Sequence, residues 1–184
     1  FAEARRMAYA EPALFGALMA RLEAATIDYL SAQAEAGAEA LMLFDSWAGV
    51  LSPGQFRRWV IAPTARIAAA LRTRFPAVGL IGFPRGAGPM LGEYARAGGV
   101  QAVAIDTAIP AAWAARELPA GMAGQGNIDP MALVAGGDAL AEEVRSLMQA
   151  VAGRPWIVNL GHGIVPQTPP EHVATLVEMV RSAA

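Results

Sequence analysis

The chain of 184 residues contains no cysteine and no lysine. Without cysteine it can form neither disulfides nor thiolate metal sites, a composition compatible with a cytoplasmic protein. Without lysine it has no Schiff-base nucleophile and no Gly-x-x-x-x-Gly-Lys phosphate loop. All 14 positive charges are therefore arginines, and histidine occurs only at His162 and His172. Two histidines without thiolates give little reason to expect a metal. Charged residues make up 16% and the net charge is −2. So low a charge fraction argues against disorder, and a slightly acidic chain offers nothing to nucleic acid. No apolar run reaches the roughly 18 residues of a membrane span, so no membrane partner is expected. Residues 1–6 lack the apolar core of a signal peptide. The first residue is Phe1 rather than methionine, as expected of a fragment. A Gly-x-Ser-x-Gly elbow is absent. Gly86-Ala87-Gly88 stands without the rest of a dinucleotide fingerprint.

What is present is apolar mass. Hydrophobic residues are 55% of the chain, enough for a sizeable core in one domain. Helix and strand patterns alternate. Residues 12–36 read as a long helix with Leu14, Leu18, Leu22 and Ala25 on one face and Gly37 as its stop. Residues 39–44 read as a buried strand. Ser52-Pro53-Gly54-Gln55 predicts a capping box opening a helix that runs to about Arg74. Strands follow at 77–81, 101–105 and, more weakly, 121–125. Short helices lie between them at 88–97 and 110–117. Asp129-Pro130 starts a helical stretch that breaks at Gly136-Gly137 and resumes to Ala152. A fifth strand occupies 156–160. Thr168-Pro169-Pro170-Glu171 predicts a second capping box and the last helix.

Five apolar strands alternating with helices imply a parallel sheet covered by helices. An open doubly wound sheet fits five strands. A complete (β/α)₈ barrel does not, because it needs eight strands and about 250 residues. The chain also begins with a helix, as if cut within a unit. A barrel lacking its first three strands accounts for that start.

In either arrangement chemistry belongs just after each strand, at the C-terminal end of the sheet. The residues there are Asp45 and Ser46, Phe83 and Arg85, Asp106, Asn127, and His162. His162 sits between Gly161 and Gly163, where missing Cβ atoms let a ligand approach the backbone. Each residue has a structural alternative. Asp45 could bond the turn that follows it, and Ser46 could be a turn hydroxyl. Arg85 could be a solvated loop charge, and His162 simply hydrogen-bonded. Asp106, Asn127 and Asp129 read best as turn and cap residues. His172 reads as a solvated histidine in a first helical turn. Trp47, Trp59 and Trp113 read as packing residues, and Trp156 as core.

Four motifs in order carry a resemblance. They are Phe44-Asp45-Ser46-Trp47-Ala48-Gly49, Gly82-Phe83-Pro84-Arg85-Gly86, Gln125-Gly126-Asn127-Ile128-Asp129-Pro130, and Asn159-Leu160-Gly161-His162-Gly163 with Pro169-Pro170-Glu171-His172-Val173. The series resembles the C-terminal half of the uroporphyrinogen decarboxylases over essentially the whole chain. The resemblance implies an α/β fold of the (β/α)₈ TIM-barrel type, here its last five β/α units preceded by one helix. Residues 1–184 would form a partial barrel domain. It implies a cytoplasmic homodimer in the full-length enzyme, acting without cofactor or metal on a small-molecule tetrapyrrole. The reaction removes carbon dioxide from the four acetate arms of uroporphyrinogen III, giving coproporphyrinogen III in haem synthesis.

Residue by residue, Ser46 matches the family's hydroxyl ligand and His162 its substrate-binding histidine. Phe44 lies beside that hydroxyl in the same motif. Arg85 stands where family members are basic, and a ligand role is inferred for it. Ser46, Arg85 and His162 are expected to face one cavity. The family's arginine motif, its pyrrole-gripping aspartate and a substrate-binding tyrosine fall outside these residues, so no catalytic residue is assigned within the chain. Two other readings remain: a barrel methyltransferase of the corrinoid or methionine-synthase type, against which the lack of cysteine weighs, and an inactive scaffold fragment.

Overall fold

The structure, a computed structural model, describes residues 1–183. Its fold is α/β. Five strands alternate with helices: β1 (Ala40–Asp45), β2 (Gly79–Pro84), β3 (Ala102–Ala104), β4 (Ala123–Ile128) and β5 (Trp156–Leu160). They form one parallel sheet in chain order. β1 runs beside β2 from Ala40 opposite Gly79 to Asp45 opposite Pro84. β4 runs beside β5 from Gly124 opposite Trp156 to Ile128 opposite Leu160. Parallel neighbours need crossover connections, and helices supply them. The chain divides into two compact units, Phe1–Ala102 and Val103 onward.

In the first unit two helices precede β1 rather than the expected one. They are α1 (Ala2–Ala10) and α2 (Pro12–Glu35), parted at Glu11. Pro12 supplies the preset φ of a first helical position and cannot donate to the helix before it. The apolar face expected on α2 is exposed: Leu14 is 55%, Leu18 44% and Leu22 52% accessible. The packed face lies one residue further round. Phe15 meets Trp59 edge-on at 4.8 Å between ring centroids. Glu23 takes both arms of Arg66 at 2.7 Å, and Leu30 is buried.

After β1 the expected helix is present in three pieces: α3 (Pro53–Phe56), a wide turn (Arg57–Ile61) and α4 (Ala62–Arg74). Pro63 has no N–H to offer the Trp59 carbonyl four residues back, and the wide turn absorbs that gap. The capping box at Ser52 does not form. Its hydroxyl pairs with the Tyr9 hydroxyl at 2.7 Å, and Gln55 instead accepts from the Trp59 indole at 2.5 Å. α5 (Leu91–Ala97) follows β2. The core here includes Phe56, Leu71, Leu80, Leu91 and Tyr94, all buried.

β3 lies at the division between the units. Before it, Gln101 N donates to Leu80 O at 2.9 Å within the first unit. After it, Ile105 N donates to Gln125 O at 2.9 Å within the second. Two strands start later than expected. Turns closed by Val78 N to Phe75 O and by Met122 N to Pro119 O occupy the residues read as strand starts.

The second unit holds α6 (Ala111–Glu117), α7 (Pro130–Ala135), α8 (Gly137–Ala150) and α9 (Pro170–Ala183). Asp129 caps α7 as expected, accepting from Met131 N at 2.8 Å. Thr168 does not cap α9. The helix begins at Pro170, two residues on, and the Thr168 hydroxyl is buried without a partner. Leu140, Val144, Leu147 and Val151 recur at helical spacing and meet Ile128 and Leu133 in one cluster. Trp156, Val158 and Leu160 of β5 pack on it. Each such side chain, fully buried, stabilises by roughly 1.5–3 kcal/mol. No helix among the described residues is long and apolar enough to cross a membrane.

Candidate functional site

Of the four expected substrate contacts, Phe44, Ser46 and Arg85 belong to the first unit and His162 to the second. In the first unit the loops after β1 and β2 are laced together through their main chains. Arg85 N donates to Asp45 O at 3.0 Å, and Gly49 N donates to Arg85 O at 2.9 Å. The loops touch where both lack side chains. A Cβ on Gly49 would stand 2.4 Å from the Gly86 carbonyl oxygen, and Gly86 holds φ +73°. The glycines that close both motifs are thus the contact surface of two loops.

Phe44 is 68% accessible. Phe83, its partner in register, meets it edge-on at 6.1 Å and is buried. Ser46 is exposed and Arg85 half-buried. Asp45, the next residue along β1, borders together with Phe44 a cavity of about 340 Å³ that Thr64, Trp59 and Tyr94 also line. Burial pushes the Asp45 carboxyl above its ordinary range, opposed by N–H groups of Trp47 and Ala48 that bond to it. Burial also pushes the Tyr94 phenol up to about 12; a Thr64 hydrogen bond works against this and the nearby Asp45 charge adds to it. Gly82 makes room for that phenol, because a Cβ there would lie 2.2 Å from its oxygen.

In the second unit the polar residues after β3 and β4 are taken up by structure. Asp106 Oδ1 accepts from Ala108 N at 2.9 Å and closes its own turn. Asn127 Nδ2 donates to Asp106 O at 2.9 Å and to Ile109 O at 2.6 Å. After β5 the chain passes close over this loop. A Cβ on Gly161 would stand 2.5 Å from Thr107 N, and Gly161 N donates to Ile128 O at 2.9 Å. His162 then emerges exposed. Its Nδ1 accepts from Gly163 N at 2.7 Å. With Nδ1 an acceptor, the neutral ring carries its proton on Nε2, which is then a donor.

His172 is not the solvated histidine expected. Its Nδ1 lies 2.9 Å from Leu133 O. The ring covers Gly136, where a Cβ would meet it at 2.4 Å. It ties α9 to α7. The tryptophans read as packing mostly pack: Trp59 is buried, and Trp156 sits in the core cluster with its indole N–H on Gly126 O at 2.7 Å. Trp47 keeps 55% exposure and rests on Phe1 at 4.4 Å. Sequence reasoning missed Tyr94 and Thr64 behind the loop after β1. The signal available in the sequence was Gly82 itself, a missing side chain inside an apolar strand, which the Tyr94 ring fills. A larger cavity, about 1110 Å³, lies along α8 and α9 and contains none of the expected contacts. Among the described residues no three His, Asp or Glu side chains converge to hold a metal.

Parallel strands in chain order, with glycine-pinned loops at their C-terminal ends, define a β/α protein consistent with part of a (β/α)₈ barrel. The profile of the family described as uroporphyrinogen decarboxylase (URO-D) matches residues 1–183. The chain belongs to that family. It is 59% identical over 182 residues to the uroporphyrinogen decarboxylase of Granulibacter bethesdensis, covering 99% of this chain and 53% of that protein. The protein of the same name from Gluconacetobacter diazotrophicus is 56% identical over 181 residues, 98% of this chain and 51% of its own length. That from Novosphingobium aromaticivorans is 52% identical over 179 residues, 97% of this chain and 52% of its own length. The chain therefore spans about half the length of these relatives. All three of these relatives are named as decarboxylases, and none of them as a methyltransferase.

Proposed function

We propose that this chain supplies part of the substrate cleft of a cofactor-independent decarboxylase acting on uroporphyrinogen. The observation that carries this reading is similarity across residues 1–183 to relatives bearing that name. The substrate is a macrocycle with eight carboxylates. Its cleft needs cationic and hydrogen-bonding clamps with some apolar wall. Arg85 is proposed as a cationic clamp, Ser46 and the His162 Nε2–H as neutral donors, and Phe44 as apolar wall. Protonation turns the pyrrole ring into an electron sink. The bonding pair of the departing carboxylate flows into it, the methylene carbon left behind takes a proton to become methyl, and the ring gives back the proton it first took, restoring the pyrrole. Positioned acid–base groups and electrostatic stabilisation can drive both steps without a cofactor. The enzyme is proposed to act as a homodimer in the cytoplasm.

The test is a full-length polypeptide in which this sequence replaces the matching half of the Granulibacter bethesdensis relative. Conversion of uroporphyrinogen to coproporphyrinogen is the expected result. A folded polypeptide with no turnover would overturn the reading.

A further inference from the structure

Asp45 is absent from the proposed substrate contacts, yet the loop that carries them is built around it. Its Oδ1 accepts from Trp47 N at 3.3 Å, and the Ala48 N–H also bonds to the carboxylate. Those two N–H groups follow Ser46 directly, so Ser46 is the enclosed residue of a turn closed by the carboxylate before it. The Asp45 carbonyl accepts from Arg85 N at 3.0 Å, and the Arg85 carbonyl accepts from Gly49 N at 2.9 Å. One residue thus joins the loop of Ser46 through its side chain and the loop of Arg85 through its main chain. Behind it, buried Tyr94 and Thr64 wall the cavity that the carboxylate borders. A turn needs only a short polar acceptor. An ionised one makes hydrogen bonds roughly twice as strong as a neutral one.

We propose that Asp45 is a positioning residue: by holding the Trp47 and Ala48 N–H groups, its carboxylate fixes the direction in which Ser46 presents its hydroxyl to a carboxylate arm of the tetrapyrrole. The inference rests on Ser46 being a substrate contact. The test is a double-mutant cycle in the full-length polypeptide described above. Asp45→Ala, Asp45→Asn, Ser46→Ala and the Asp45→Ala/Ser46→Ala pair are assayed for kcat, KM and thermal melting. Asp45→Ala is expected to raise KM about tenfold, the scale of one charge-assisted hydrogen bond. Asp45→Asn, which keeps an acceptor, should recover most of that loss. Once Ser46 is alanine, Asp45→Ala should add less than about twofold, because its effect passes through a hydroxyl no longer there. Additive losses, or no rescue by Asp45→Asn, would overturn the positioning role while leaving the Ser46 contact standing. Unchanged kinetics in Ser46→Ala would remove both. If Asp45→Ala fails to fold, Asp45→Val, which fills the same space without an acceptor, takes its place in the cycle and is read in the same way.

Discussion

Gly49 presses on Gly86 in the first unit, and Gly161 presses on Thr107 in the second. Around the first contact the loops are joined by main-chain hydrogen bonds, to which the Asp45 carboxylate adds its bonds to the N–H groups of its own loop. Around the second, Asn127 spends its amide on two carbonyls and Asp106 closes its own turn. The difference separates builders from candidates for binding. Where main chain holds main chain, Ser46 and Arg85 remain available to meet a ligand. Where side chains do the holding, Asp106 and Asn127 are committed, and His162 is the side chain the loop presents.

The sharpest way to break this contrast is Asn127→Ala. It removes the donor to Ile109 O and one of the two donors to Asp106 O, which keeps Ile109 N at 3.2 Å. With one group left unsatisfied at about 1–3 kcal/mol and a second hydrogen bond lost at about 1 kcal/mol, roughly 2–4 kcal/mol of stability should go. Chemical denaturation measures it, and a loss below about 1 kcal/mol would make Asn127 a poor candidate for a builder.

The paired glycines come next. Gly49→Ala and Gly161→Ala each force a Cβ against backbone, at 2.4 and 2.5 Å. Each is expected to cost about 1–3 kcal/mol, or a few degrees of melting temperature per kcal/mol in a chain of this size. Equal losses would sharpen the parallel between the loops. Tolerance at one site alone would break it.

Titration gives the smaller effects. Tyr94 ionises near 12 in the folded chain and near 10 when unfolded. Above pH 10 the unfolded state alone loses its proton, so stability held below pH 10 should drain away toward pH 12. Tyr94→Phe should flatten that alkaline decline in denaturation curves. Asp45 runs in the same sense at acid pH. Its folded-state affinity for a proton is raised by burial. The associated stability is complete below the ordinary carboxylate range and lost as pH rises through the folded value. Asp45→Asn cannot titrate there. Its melting temperature relative to the parent should therefore be higher at pH 7 than in acid.

Much of this was legible in the residues. Apolar runs located four of the strands, the alternating rhythm alone pointed to β4, and Asp129-Pro130 marked a cap that forms. Strand starts at β2 and β4 were read early because a turn closed by backbone atoms leaves little trace in side-chain pattern. The capping boxes at Ser52 and Thr168 do not form. Tyr9 reaches Ser52 from α1, and α9 begins past Thr168. The exposed leucine face of α2 shows the limit of periodicity, which finds an apolar stripe without saying which neighbour it meets. At the site, Ser46 and His162 stood out by motif. The role of Gly49 and Gly161 as loop contacts did not, because a close approach between two backbones is invisible in one dimension.

The account stands or falls on side chains that the fold leaves uncommitted, and His162→Ala in the full-length polypeptide tests that most directly. Turnover and thermal melting are measured on the same sample. The imidazole is exposed and its Nδ1 accepts from the neighbouring Gly163 N–H, so stability should move by no more than about 0.5 kcal/mol. Decarboxylation should fall at least tenfold, roughly the weight of one hydrogen bond to a charged group. A collapsed melting temperature with normal turnover per folded molecule would contradict the account and place His162 among the builders.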